Sequence, residues 1–193
     1  MQKLTNQLIL KTGLIFCVLL FITCTETKKE DIVTEEKEIP VLESASQEYA
    51  DIVQEFYDLL ADFNLVAWKE HLAEDITWYW PDGSSETRNT IKGTDNLIAF
   101  WEDWKEKTGG KMSFTNNTLL PLKVNKPTNY YKVVGSGVLA YTDMTITLQD
   151  KSTSVRQHAV VMFNDDKKIS HLFLYYDRSG IKELTNVVFG ETE

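Results

Sequence analysis

The chain has 193 residues, with 20 Lys and Arg against 29 Asp and Glu and a formal net charge of -9. That balance argues against nucleic acid or an anionic bilayer surface as a partner, because both repel an acidic protein. Its 2 Cys cannot staple a small secreted fold, and 42% hydrophobic with 11% aromatic residues is too apolar for a disordered chain and too polar for a multi-span membrane protein.

Lys3 and Lys11 flank the start of an unbroken apolar run, Leu14 to Ile22. A helix of that length reaches only about half of a bilayer core, so the charge-then-apolar order reads as an export signal over residues 1–24 rather than a membrane span. The run stops at Thr23-Cys24, which resembles a bacterial lipoprotein cleavage site with Cys24 acylated as the mature N-terminus; an ordinary cleaved signal and an uncleaved anchor are the alternatives. The expected product is exported and held at a membrane only by its lipid, in the periplasm or on the cell surface. Residues 25–46 form an acidic tether: Thr25 to Glu43 is rich in Glu and Lys, poor in aromatics and contains Pro40, so it cannot bury enough apolar surface to offset its ordering entropy. The working domain is then 47–193. It contains no Cys, which removes thiol catalysis and Cys-ligated metals from consideration.

Within the domain, Ser44 to Asn64 predicts an amphipathic helix, with Tyr49, Ile52, Val53, Phe56, Leu59, Leu60 and Phe63 at helical spacing and a capping box from Ser44 and Gln47. A short second helix carries Trp68 and Leu72. Ile76 to Trp80 predicts a strand ended by the turn Pro81-Asp82-Gly83. Gly93-Thr94-Asp95 opens a third helix with Leu97, Ile98, Trp101 and Trp104 on one face, and Gly109-Gly110 ends it. From Lys111 onward the period becomes two, with strands near Met112 to Val124 (bent at Pro121), Ser136 to Leu148, Thr153 to Phe163 and Lys168 to Asp177, joined by connections short enough for antiparallel hairpins. Helices first and a long antiparallel sheet afterwards make an α+β arrangement. No phosphate loop or helical zinc motif interrupts it, and the three His do not converge, so neither a cofactor nor a metal is expected.

The order of these elements resembles the nuclear transport factor 2-like, or SnoaL-like, superfamily. The residues that carry the likeness are HLAEDITWYWPDG (His71 to Gly83), IKGTDNLIAFW (Ile91 to Trp101) and the closing KKISHLFLYYDRSGI up to Ile181. The resemblance implies a cone-shaped half-barrel, with helices closing a curved sheet around one pocket, and a homodimer through the outer sheet face. It leaves activity open, because that fold hosts cyclases, isomerases, dehydratases, epoxide hydrolases and non-catalytic binders. Cyclases and epoxide hydrolases of the family keep an acid five residues after the Ile that starts the last strand; here that position is Leu174, so their usual chemistry lacks its acid. Asp177 reads as a turn or capping residue.

Strand alternation then assigns faces. The family count turns Leu172, Leu174 and Tyr176 toward the pocket, together with Tyr141, Asp143 and Thr145 and with Arg156, His158 and Val160. A hairpin turn at Asp150-Lys151 places Asp143 opposite His158, where the two can touch. A carboxylate beside an imidazole suits a general base, and Arg156 could hold an anion, so a cofactor-independent lyase or isomerase acting through His158, Asp143 and Arg156 is one reading. A structural Asp–His–Arg network beneath a binding cavity is the other. The opposite face, with Val138, Ala140, Met144, Ile146, Val155, Ala159, Val161, Phe163, Phe173 and Tyr175, is the more apolar, so either it is buried in a dimer or the faces are reversed, in which case His171 and Asp177 line the cavity and the dyad is lost. Trp78, Trp80, Trp101 and Phe56 complete the expected lining of a pocket for a small, largely apolar or aromatic molecule. A ligand carrier without catalysis and a protein-interaction module stand beside the enzyme as alternatives.

Overall fold

The structure is a computed structural model that describes residues 38–128 and 132–190. The signal, Cys24 and most of the tether lie outside the described residues. The folded unit runs from Ile39, so the end of the stretch read as tether belongs to it: β1 (Leu42–Ser44) pairs antiparallel with β4, and Lys123 reaches Glu43 at 3.2 Å.

Helix α1 spans Glu48–Ala61, shorter at its start than the periodicity predicts, because the chain is still strand at Ser44. The Ser44–Gln47 box does not form. Instead the Ser46 hydroxyl accepts the Glu48 N–H at 3.3 Å, and Glu48 and Asp51 sit in the first turn, where negative charge complements the helix dipole. The helix ends as Phe63 takes a left-handed φ of 58°. Asn64 caps α2 (Leu65–Lys69) by accepting the Ala67 N–H, and Leu72, expected on this helix, already begins β2 (Leu72–Tyr79). A short β3 (Thr90–Lys92) leads to α3 (Thr94–Thr108), which stops at the left-handed Gly109.

Four strands follow: β4 (Lys111–Val124), β5 (Gly135–Leu148), β6 (Lys151–Phe163) and β7 (Ile169–Tyr175). A last helix, α4 (Ser179–Phe189), is absent from the sequence reading although Ile181, Leu184 and Val188 pack from it onto the core. The strands make one curled, unclosed seven-stranded sheet in the order β1-β4-β5-β6-β7-β2-β3, antiparallel except where β2 meets β7. Helix α1 packs on β4 and β5, α3 on β2, and α4 on β5 and β6, so one face of the sheet is covered by helices. This is the α+β arrangement read from the element order, in the cone form that the resemblance implied.

Three register details place the side chains: two bulges set which of them face inward, and one turn sets their cross-strand partners. The bulge in β4 is at Asn116, where φ is 54° and pairing shifts between Thr115 and Thr118, not at Pro121. Pro121 pairs regularly with Val138, and its carbonyl accepts the Ala45 N–H. Its backbone therefore faces β1, which has ended at Ser44, so the missing N–H interrupts no β4–β5 bond. The β5–β6 turn is Gln149-Asp150, one residue earlier than expected, with Gln149 at φ 53° and Leu148 opposite Lys151. Between β6 and β7, Phe163 pairs with Ile169 but Met162 with His171, leaving Ser170 as an extra residue. A one-residue bulge exchanges the faces of everything beyond it.

Candidate functional site: an aromatic interior

Past Ser170, Val161 stands opposite Leu172 and Ala159 opposite Leu174. The inward face of the sheet therefore combines Leu172 and Leu174 with Ala159, Val161 and Gln157, and across β5 with Ala140, Thr142 and Met144. β7 faces inward as expected, whereas β5 and β6 are reversed. Without the bulge Leu174 would pair with His158, which is the parity the sequence reading assumed.

Asp143, Arg156 and His158 consequently lie on the outer face. The shifted turn also changes their partners: Asp143 is opposite Arg156, and His158 is opposite Tyr141. The expected Asp143–His158 pair is replaced by two separate arrangements. Asn116 donates to Asp143 at 2.8 Å and the exposed Arg156 Nε stands 3.7 Å from the same carboxylate. The His158 ring stacks between Tyr141, at 4.6 Å, and Tyr175, at 5.5 Å, with Nδ1 3.3 Å from the Ala140 carbonyl oxygen. Burial lowers the His158 pKa from its ordinary value, partly opposed by that backbone bond; no carboxylate raises it. Tyr141, expected in the pocket, is 42% exposed on this outer face.

The inner face converges on a narrow space of about 20 Å³. Six of the eight side chains expected to line it do so: Trp78, Trp80, Trp101, Leu172, Leu174 and Tyr176. Phe56 is fully buried behind it, stacked 5.0 Å from Trp68, and does not reach the space. The wall is completed by Tyr57 and Leu60 of α1, Met112 and Phe114 of β4, Met144 of β5 and Gln157 of β6. The reversed faces hid Met144 and Gln157. Tyr57 was legible, since Val53, Tyr57 and Leu60 repeat at helical spacing.

The aromatic side chains form a continuous cluster. Trp78 meets Trp80 at 5.6 Å and Trp101 at 5.9 Å, edge-on to the latter, and Tyr57 stacks on Phe114 at 4.7 Å. Edge-to-face and offset contacts at these distances add to the burial of the rings. Three indole donors, Nε1 of Trp68, Trp78 and Trp101, have no acceptor among the described residues. The polar groups that reach the space are neutral. Gln157 Nε2 donates to the Tyr57 hydroxyl at 3.3 Å, and burial pushes both phenols upward, Tyr176 to about 12. The β4 bulge supports this side: Asn117 donates to Gln54 of α1 at 2.9 Å and accepts from the Thr142 hydroxyl at 2.6 Å.

Arg88 ties down the rim. Its Nε donates to the Trp80 carbonyl at 2.8 Å, a second nitrogen donates to the Leu174 carbonyl, and the guanidinium lies 4.6 Å over the Tyr175 ring. Beside it, Trp80 also lines a surface cleft of about 250 Å³ with Asn89, Phe100 and the ion-paired Asp82 and Arg178. Asp177 has the capping role expected of it, accepting the Ser179 N–H at 2.8 Å at the start of α4.

Solved structures with a similar backbone include a protein proposed to be a polyketide cyclase from Xanthomonas campestris pv. campestris, at 14% identity and TM-score 0.51 over 74% of this chain and 95% of that one. A proposed isomerase from Bacillus subtilis aligns at 14% identity and TM-score 0.53, covering 76% of this chain and 95% of its own. A nuclear transport factor 2-like protein from Burkholderia xenovorans LB400 aligns at 18% identity and TM-score 0.53, covering 75% and 100%. At these identities the likeness is one of fold. No curated protein matches the sequence. The family of SnoaL-like domains matches residues 53–172, more than half of the chain and most of the aromatic wall just described, and the chain belongs to that family.

Proposed function

We propose that this domain holds a small, largely apolar molecule against its inner aromatic wall, as a binder rather than an acid–base catalyst. The observation that carries the reading is the chemistry of the lining. Trp78, Trp80, Trp101, Phe114 and Tyr176 supply ring faces, and among the described lining residues there is no carboxylate and no imidazole. The two phenols are held protonated by burial, so no group there exchanges a proton near neutral pH. An isomerase-, dehydratase- or cyclase-like activity through His158, Asp143 and Arg156 would have to operate on the outer face instead. There the carboxylate is engaged by Asn116 and Arg156 rather than by the imidazole.

Native mass spectrometry of the purified full-length protein tests the reading. A retained small molecule is expected, with lower retention in Trp78→Ala and Trp80→Ala. A ligand-free protein whose urea midpoint is not raised by a saturating apolar ring compound such as indane would overturn it. The proposal includes the address of the domain: export, with a lipid on Cys24, which predicts fatty-acid incorporation that Cys24→Ser abolishes. It also includes a second copy across the outer face, where Leu120 is 48% and Tyr141 42% exposed, and sedimentation of the wild type against Tyr141→Asp reads that directly.

A further inference from the structure

The outer face of the sheet carries a concavity of its own, separate from the aromatic interior. Period two sends Tyr79, Phe173 and Tyr175 outward where Trp78, Trp80, Leu172 and Leu174 point inward. The β2–β3 connection and the β4–β5 connection rise over these rings and leave an open cleft of about 380 Å³ between them. That volume falls within the range of small-molecule sites. Lys132 and Glu86 join the two connections at 3.0 Å, and on the floor Tyr79 and Phe173 stack at 4.4 Å with their planes 12° apart.

Among the described lining residues there are two cations, Arg88 and Lys132, and no carboxylate. The charge of Lys132 is balanced by Glu86. Arg156 and Arg178 likewise face Asp143 and Asp82, whereas Arg88 pairs with no carboxylate among the described residues. The backbone holds it instead. The parallel ladder between β2 and β7 ends at Tyr79 and Phe173, and the next carbonyls along, those of Trp80 and Leu174, accept from its Nε and one Nη. Its guanidinium also lies 4.6 Å over the Tyr175 ring. Arg88 is thus half-buried, permanently charged and fixed in place, with the rest of its donor fork unused by the protein. Water satisfies such a fork, so the argument lies in its position: a guanidinium already set in place gives up little freedom when it takes an anion.

We propose that this cleft is a second ligand site, for a small aromatic monocarboxylate. The carboxylate accepts from the remaining N–H groups of Arg88, with Lys132 as the neighbouring cation, and the ring packs against Tyr79 and Phe173. A planar carboxylate matches the guanidinium fork. A single charge suits the site better than two, because Glu86 already balances Lys132 and the chain as a whole is acidic, at -9. The aromatic floor selects a ring-bearing body. The site goes beyond the binding proposed for the interior and does not depend on it. It lies over β7 and β2, with β6 between it and the exposed Leu120 and Tyr141 of β4 and β5.

Calorimetry on the full-length protein with 2-naphthoate, 2-naphthamide, 2-naphthyl phosphate and acetate tests it. Naphthoate is expected to bind about tenfold tighter than the amide, the scale of one charge-assisted hydrogen bond, and tighter than the phosphate; acetate, which lacks the ring, should show no binding. Nuclear Overhauser contacts from naphthoate are expected at the rings of Tyr79 and Phe173, with the indole N–H signals of Trp78 and Trp101 unmoved. Arg88→Gln should erase the preference for naphthoate over the amide. Lys132→Gln, an exposed substitution, should weaken naphthoate about threefold, the scale of an exposed charge pair. If Arg88→Gln fails to fold, the wild-type series and Lys132→Gln still decide the question. Equal binding of naphthoate and the amide, tightest binding of the phosphate, contacts to the interior indoles in place of Phe173, unchanged affinity in both variants, or no binding of naphthoate would overturn the proposal. None of these outcomes bears against the interior reading, which its own experiment decides.

Discussion

The Gln157–Tyr57 bond is a test of how dry the inner wall is. Gln157 is 3% and Tyr57 2% exposed, and the amide donates to the hydroxyl at 3.3 Å across the α1–β6 interface. Tyr57→Phe would leave the Gln157 amide without this acceptor; Gln157→Met would leave the Tyr57 hydroxyl without this donor. Each single variant strands a buried polar group, which costs about 1–3 kcal/mol. The double variant strands neither, and both replacements keep shape and volume closely, so it should lie within about 1 kcal/mol of wild type. The two changes are therefore expected to be strongly non-additive, with a coupling of about 1–3 kcal/mol in favour of the double variant. Because burial keeps Tyr57 protonated, the effect is that of a neutral hydrogen bond and should not change between pH 7 and 8. Urea unfolding of the four proteins at constant slope measures it. Additive single effects would mean that water reaches these groups, and the description of the wall as dry would be wrong.

Two further outcomes follow from the outer face and the bulge. Burial lowers the pKa of both His158 and His171, so the folded state takes up protons less readily than the unfolded chain; their contribution is complete above about pH 6.5 and is lost as the pH falls below it. The urea midpoint should decline as the pH falls below about 6.5, and His158→Gln with His171→Gln should flatten that decline; an equally steep decline in the double variant refutes the assignment. Deleting Ser170 removes the extra residue and turns Leu172 and Leu174 outward, forfeiting about 3–6 kcal/mol of burial, so cooperative unfolding should vanish while Ser170→Ala, which keeps the count, unfolds as wild type does. A deletion variant with an unchanged midpoint would show that the bulge does not set the faces.

What the sequence disclosed and what it concealed divide along one physical line. Helix α3 was legible from its ends inward, because Gly93, the Trp101 stripe and Gly109 are local signals that packing reinforces. Trp78 and Trp80 on a shared face followed from period two alone, whereas placing Leu172, Leu174 and Tyr176 inside also needed the family count. Helix α4 was missed although Ile181, Leu184 and Val188 repeat at helical spacing, since the family ending drew the reading to a close at Asp177. The faces of β5 and β6 could not be carried over from β7 by counting. Register passes from strand to strand only through the turns, and a single inserted residue exchanges the two faces. The hydrophobic pattern did hold the answer for β5 and β6, because Val138, Ala140, Met144, Ala159 and Val161 stand against a face on which Leu139, Val160 and Met162 are mixed with Tyr141, Asp143, Arg156 and His158. Burial is a sum over many residues and a turn is one local choice, so when the two conflict the summed preference should prevail. Ser170 is where the chain reconciles them, with its hydroxyl 3.3 Å from the Met162 carbonyl in the strand it had to slip past.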